Sequence, residues 1–78
     1  MPRFYFDSRY GDDFTEDDIG VDFLTIDQAT KAAMRALAEM YFELAPSAAR
    51  RVLSIEVRDN HGPLIEARLM YEVRMLRT

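Results

Sequence analysis

Few residues of this 78-residue chain could carry out catalysis, because it has no cysteine and a single histidine, His61. A hydrolytic site needs a nucleophile within hydrogen-bonding reach of a base that a carboxylate orients, inside a pocket that excludes water. His61 lies within Asp59-Asn60-His61-Gly62, which is typical of a tight turn, and a hairpin tip offers no enclosed pocket. The sequence therefore predicts a non-enzymatic protein without catalytic residues.

Acidic side chains are concentrated between residues 7 and 27, where eight acids stand against Arg9 alone. Calcium takes about six to eight oxygen ligands, and its commonest loop has glycine at the sixth position and glutamate at the twelfth. Counted from Asp13, those positions hold Asp18 and Leu24, so the pattern fails. We expect a solvated loop with no metal and no cofactor, and weak cation or small-ligand binding there stays open as an alternative. The loop acids are Asp12, Asp13, Glu16, Asp17, Asp18 and Asp22.

The charge distribution disfavours general nucleic-acid binding, because such proteins usually carry a strong basic patch and this chain has a net charge of −4. Residues 50–78 nevertheless hold six arginines against four acids, which leaves room for a local basic face. No segment approaches the roughly 20 apolar residues that span a bilayer, and no secretory signal is recognisable. Absence of cysteine fits a reducing compartment, so we expect a cytoplasmic protein that binds no membrane.

Two strands are predicted before the helix. Alternation predicts the first over Arg3 to Arg9, with Phe4 and Phe6 on one face and Tyr5 and Asp7 on the other. The acidic loop follows, and a shorter second strand is predicted over Val21 to Leu24.

The helix has the clearest pattern in the chain. Thr25 and Gln28 fit a capping box at its start, and Pro46 predicts its end, since the residue before a proline is disfavoured in helical geometry. Apolar residues recur between these signals at spacings of three and four, as on the buried face of a helix. They are Ile26, Ala29, Ala33, Leu37, Met40 and Leu44.

The last third of the chain predicts an antiparallel hairpin. Its first strand runs from Arg51 to Arg58, with Leu53, Ile55 and Val57 on the inward side. Its second strand runs from Leu64 to about Arg74. Together with the earlier elements this gives one α+β domain over residues 1–78, a two-layer ββαββ arrangement. One helix packs on a four-stranded, mainly antiparallel sheet whose strand order stays open.

The opening Met1-Pro2-Arg3-Phe4-Tyr5-Phe6, followed by Gly11-Asp12 and Asp17-Asp18-Ile19-Gly20, resembles that of small uncharacterised proteins of alphaproteobacteria. The likeness continues through the alanine-rich helix that opens at Thr25 and covers nearly the whole chain. Thr25 stands where aspartate is more usual, and Asn60-His61 stands where acidic residues are commoner. That family is a domain of unknown function, so the resemblance implies no activity, ligand or catalytic residue.

The sheet face away from the helix is where we expect function, because a single helix covers only one side. Antiparallel sheets often leave one face in water, so a merely solvated face is the simpler interpretation. The functional hypothesis is an interaction module that recognises either an unidentified protein partner or itself. Self-association would use this face or the edge of the long last strand. The alternative is nucleic-acid binding by sheet-face arginines, Arg77 included, with Tyr5 as a stacking platform. The predicted interaction residues are Tyr5, Arg58, Arg68, Met70 and Arg74.

Overall fold

A computed structural model describes residues 2–44 and 50–77 of the chain. One helix packs against an open sheet whose described strand pairs are all antiparallel, which confirms the predicted α+β fold. The elements are β1 (Arg3–Tyr10), β2 (Asp13–Thr15), β3 (Val21–Asp22), α1 (Ile26–Leu44), β4 (Arg50–Asp59) and β5 (Gly62–Glu72).

The strand order, which the sequence left open, is β2-β1-β4-β5, and β3 also pairs with β1. β2 pairs with one end of β1, where Ser8 faces Thr15, and β3 pairs with the other end, where Phe4 faces Val21. Both short strands lie along the edge of β1 that β4 does not occupy. One edge of the sheet is therefore built from two short strands, and the other is β5.

The strand β2 was not predicted, because its residues belong to the acidic segment of the sequence, which indicates a loop. Three residues, Asp13–Thr15, are too few to show a period of two. The strand forms because β1 offers a free edge beside it, and the Arg9 guanidinium lies 4.9 Å from the centre of the Phe14 ring. A tertiary contact therefore decides this element.

The core lies between α1 and the inner face of the sheet. Leu53, Ile55 and Val57 of β4 are buried as predicted, and Phe4 joins them from β1. The helix contributes small residues there, which lets its backbone approach the strands closely. The buried helix residues are Ala29, Ala33 and Leu37.

The start of α1 confirms Thr25 as its N-cap and modifies the capping box. The Gln28 N–H donates to Thr25 Oγ1 at 3.2 Å. The Gln28 side chain accepts a hydrogen bond at 2.9 Å from the N–H of Leu24, one residue before the cap. At the other end the Tyr10 hydroxyl donates to the Leu44 carbonyl at 3.0 Å, and the predicted stop at Pro46 lies outside the described residues. Within the described ranges, no helix combines the length and apolarity needed to cross a membrane.

The β4–β5 hairpin turns where the sequence predicted. The Asp59 carboxylate accepts the N–H of His61 at 2.8 Å, and Gly62 has a φ of +123°, which side-chain-bearing residues rarely adopt. β5 starts at Gly62 rather than Leu64 and ends before the predicted Arg74. Arg74 is exposed beyond the strand.

Replacing Leu53 with alanine should lower the free energy of unfolding by about 2–5 kcal/mol, because Leu53 is fully buried and a cavity would remain. Urea unfolding followed by circular dichroism measures the change. Leu76→Ala is the control, since Leu76 is 88% exposed and its loss should change stability by less than about 0.5 kcal/mol. Equal effects of the two substitutions would contradict this placement of the core.

Candidate interaction surface

The five predicted interaction residues do not form one surface. Tyr5 and Arg58 face each other across β1 and β4, at the end of the outer face near the β4–β5 turn. Arg68 pairs with Ser54 on the same face, four residues along β4 from Arg58, which is about 13 Å in a strand. Met70 lies further along β5, and Arg74 is outside the strand.

Arg58 is held by contacts within the protein. Its Nε donates to Asp7 Oδ2 at 2.7 Å, and its Nη2 donates to the Asp17 carbonyl at 2.8 Å. The hydrogen bond to Asp7 raises the pKa of Arg58, and the guanidinium lies 4.6 Å from the centre of the Tyr5 ring. Arg58 therefore stabilises the fold, and its positive charge is already paired with Asp7.

Asp7 is the buried charge of this network, at 4% exposure. A buried carboxylate is costly unless it is paired and hydrogen-bonded. One oxygen accepts from Arg58, and the other accepts the N–H of Asp17 at 2.9 Å. Asp7 thus links β1 to β4 and to residues 16–20. We call residues 16–20 the covering loop.

Asp17 fills the gap that β2 and β3 leave along β1. Its Oδ2 accepts the N–H of Phe6 at 3.0 Å, and its Oδ1 accepts the N–H groups of Ile19 at 3.0 Å and Gly20 at 3.1 Å. The carboxylate replaces the backbone acceptor that a continuous strand would supply. Burial raises the pKa of Asp17, but these three hydrogen bonds and the Arg58 charge outweigh burial, so its pKa is lowered from 3.8.

Gly20 brings the covering loop close to the strand. Its φ is +77°, and a Cβ there would lie 2.8 Å from Arg3 Cγ and 2.9 Å from Tyr5 Cε1. Arg3 holds the same segment through Nη1, which donates to the Ile19 carbonyl at 2.8 Å, and through its ion pair with Asp22 at 3.0 Å. The Tyr5 ring is therefore packed between Gly20 and Arg58.

These contacts correct two expectations. The outer face is not open at Tyr5 and Arg58, because the covering loop lies there, and Tyr5 is not a free stacking platform. The loop is also more than a solvated acidic segment, since Asp17 is partly buried and bound by three backbone donors. Among the residues that the structure describes, no three His, Cys, Asp or Glu side chains converge as a possible metal site.

A different part of the outer face is exposed in the described part of the chain, and we call it the β5 surface: Val52, Leu64, Glu66, Arg68 and Met70. Met70 is 71% exposed, Leu64 45% and Val52 39%. Glu66 and Arg68 form an ion pair at 3.1 Å between them. The surface therefore combines exposed apolar side chains with one charge of each sign.

An open cleft adjoins the β5 surface and is lined by Arg50, Arg51, Val52, Met70, Tyr71 and Glu72. Partial desolvation raises the pKa of Tyr71, and the neighbouring Tyr10 adds to the effect. The Tyr71 ring also packs edge-on against Tyr41 of α1, with 5.5 Å between centroids.

Residues 3–71 match a family model described as a domain of unknown function, DUF6894. The chain belongs to this family. No curated protein and no solved structure gave a significant match. The matched residues run from the start of β1 to the penultimate residue of β5, so the covering loop and the β5 surface both lie within the DUF6894 domain. The match confirms that the chain resembles an uncharacterised family.

The sequence predicts the outward positions of Arg68 and Met70, but it does not predict the contacts of Asp7 and Asp17. Asp7 was placed correctly on the outer side of β1, opposite Phe4 and Phe6 in the alternation. No local signal in the sequence distinguished Asp7 from a solvated acid, because an outward-facing carboxylate becomes buried only when tertiary contacts satisfy its charge.

Asp17→Asn should destabilise the DUF6894 domain by about 1–3 kcal/mol at pH 7, because the amide replaces one of the two accepting oxygens with an NH2 group, which cannot accept a hydrogen bond from a backbone N–H. The lowered pKa of Asp17 means that its stabilisation is present above the ordinary value of 3.8 and is lost as the pH falls through the folded pKa. Urea unfolding between pH 3 and pH 7 should show that the free energy of unfolding falls less toward acidic pH for Asp17→Asn than for the unsubstituted chain.

The control for that measurement is Asp18→Asn, at an exposed neighbouring position. It should leave stability at pH 7 within about 0.5 kcal/mol of the unsubstituted chain. Identical pH profiles for Asp17→Asn and the unsubstituted chain would rule out the role given to Asp17.

Gly20→Ala should destabilise the domain more than Gly11→Ala, although both glycines have positive φ, +77° and +60°. A Cβ at Gly11 would meet its nearest atom, Arg51 Nε, at 3.5 Å, an ordinary contact, whereas one at Gly20 would clash with two side chains. Both variants share a backbone penalty of about 1 kcal/mol. The difference between their unfolding free energies measures the close packing of the covering loop, and a difference of zero would disprove it.

Proposed function

We propose that this domain is a non-enzymatic protein-interaction module that binds its partner through the β5 surface and the adjacent edge of the sheet. The proposal rests on one observation, that the two edges of the sheet differ in how far other segments cover them. The edge at β1 is closed by β2, by β3 and by the Asp17 carboxylate between them. The edge at β5 pairs with no strand in the described part of the chain.

The direction of the backbone groups shows what β5 offers. The Phe6 N–H points away from β4, toward Asp17, and the Gly11 N–H points to Val52 of β4. In an antiparallel sheet, successive residues of a strand direct their backbone groups to opposite edges. Followed through the pairing of β1 with β4 and of β4 with β5, this alternation directs the N–H and C=O groups of Glu66, Arg68 and Met70 away from β4. An edge of this kind is a template for another strand.

The side chains beside this edge also suit a protein partner. Methionine and arginine are enriched at protein interfaces, and Met70 and Arg68 lie on adjacent outward positions of β5. An exposed strand edge is usually protected by proline, by unpaired charge or by a covering segment. Pro63 is at the start of β5, but Glu66 and Arg68 neutralise each other, so the centre of the strand carries little net charge to repel a partner.

The groups that could support other functions are less well placed. His61 is exposed at the hairpin tip. Arg58, which the nucleic-acid hypothesis required, is bound to Asp7, and the Tyr5 ring is covered. These contacts favour a protein partner over a nucleic acid.

The proposal predicts that a photo-crosslinking amino acid at Met70 will form a discrete adduct with another protein chain in the cells that naturally produce this protein. The same amino acid at Lys31, exposed on α1, should form none. Adding Arg68→Pro should remove the Met70 adduct, because proline deletes an edge N–H without breaking a bond to β4.

Arg68→Ala is the matched control, since it removes the same side chain and keeps the edge N–H. It should retain more adduct than Arg68→Pro. Equal adducts from Met70 and Lys31, no adduct from Met70, or full adduct with Arg68→Pro would each overturn the proposal. Circular dichroism should confirm that both substituted chains are folded.

A further inference from the structure

Resting on the proposed function, we propose that the partner of β5 is a second copy of the same chain. The two β5 strands pair antiparallel about a two-fold axis that passes between the two copies of Ala67. The two sheets then join into one continuous sheet, and both copies use the same surface, as a closed dimer requires.

The sequence of β5 is complementary to itself in this register. An axis at Ala67 places Glu66 of each copy opposite Arg68 of the other. Leu64, which lies at the irregularity where the register with β4 shifts, comes beside Met70 of the other copy. Opposite charges directly across a strand pair are stabilising. The Leu64 and Met70 side chains, 45% and 71% exposed in one chain, cover each other in the pair.

The neighbouring registers lack this match. An axis at Glu66 places the two copies of Glu66 against each other, and an axis at Arg68 does the same for arginine. Like charges directly opposite are destabilising. An axis at Ala67 also brings the outward backbone groups of Glu66 and Arg68 together as a hydrogen-bonded pair, because both residues point away from β4.

The helix supplies an independent argument. α1 packs over β4 and β5, and the Tyr41 ring lies 5.5 Å from the Tyr71 ring of β5, so this flank of α1 faces the free edge. Met34, two turns before Tyr41, lies on the same flank and is 60% exposed. The opposite flank, beside Phe23 and Leu24, carries the polar side chains of Gln28, Lys31 and Arg35.

Joining the two β5 strands places the apolar flanks of both helices side by side. Adjacent strands are about 4.8 Å apart, so helices centred between β4 and β5 would be about 10 Å apart, close to the spacing of packed helices. Ala67 pairs with Ile55 at the middle of β4, and Met34 lies near the middle of α1. The Met34 side chains of the two copies therefore meet near the proposed axis.

The test is sedimentation equilibrium of the full chain and of two charge variants. The unsubstituted chain should dimerise. Glu66→Arg and Arg68→Glu should each weaken dimerisation by roughly tenfold or more, because each converts two attractive pairs into two repulsive ones. An equimolar mixture of the two variants should recover a heterodimer, since every charge then meets its opposite. The double variant Glu66→Arg/Arg68→Glu should recover a homodimer.

A second pair of variants tests the helix contact. Met34→Lys should weaken dimerisation, and Lys31→Ala, one turn away on the polar side, should not. A strictly monomeric unsubstituted chain, single charge variants that dimerise normally, or a mixture that stays monomeric would overturn the inference. Recovery in the mixture requires both variants to be folded, so it cannot arise from misfolding.

The two proposals can fail separately. If the chain is monomeric but the Met70 crosslinker captures a different protein in an Arg68→Pro-sensitive way, the interaction module stands and the second copy is wrong. If the crosslinked species has twice the mass of the chain and the charge exchange behaves as expected, both stand.

Discussion

The charged network of Asp7, Arg58 and Asp17 is the constraint on which the rest of the structure depends. Asp7 is 4% exposed on the outer face of β1, and a carboxylate there is tolerable only because Arg58 and the N–H of Asp17 satisfy it. Those partners come from β4 and from the covering loop, so one buried charge fixes the relation of three segments. Asp17 then closes the gap between β2 and β3 with its own carboxylate.

This arrangement makes the two sides of the sheet unequal. The amino-terminal third of the chain protects the edge of β1 and covers one end of the outer face. Among the residues that the structure describes, no strand pairs with the free edge of β5, and the other end of the outer face is exposed. Since a small domain gains limited stability from its own core, strand pairing through β5 would add hydrogen bonds and apolar burial that the single chain lacks. The same asymmetry supports both proposals.

Local patterns accounted for most of the fold. The spacing of Ala29, Ala33 and Leu37 predicted the buried face of α1, and the alternation around Leu53, Ile55 and Val57 predicted that of β4. Each pattern indicates the buried side of one helix or strand, and it does so without information about which other elements pack against that side. The candidate site was predicted in part, because the outward positions of Arg68 and Met70 follow from the same alternation.

The sequence by itself determined the helix, the hairpin and the inward side of each long strand, because a hydrophobic period is local. Only the tertiary structure decided the strand order, the pairing of β2 and the covering of Tyr5 and Arg58. These features depend on contacts between residues far apart in the chain, such as Asp7 with Arg58, and no local period encodes which distant side chain will neutralise a buried charge. For the same reason, the free edge of β5 became visible only when the other strands had been placed.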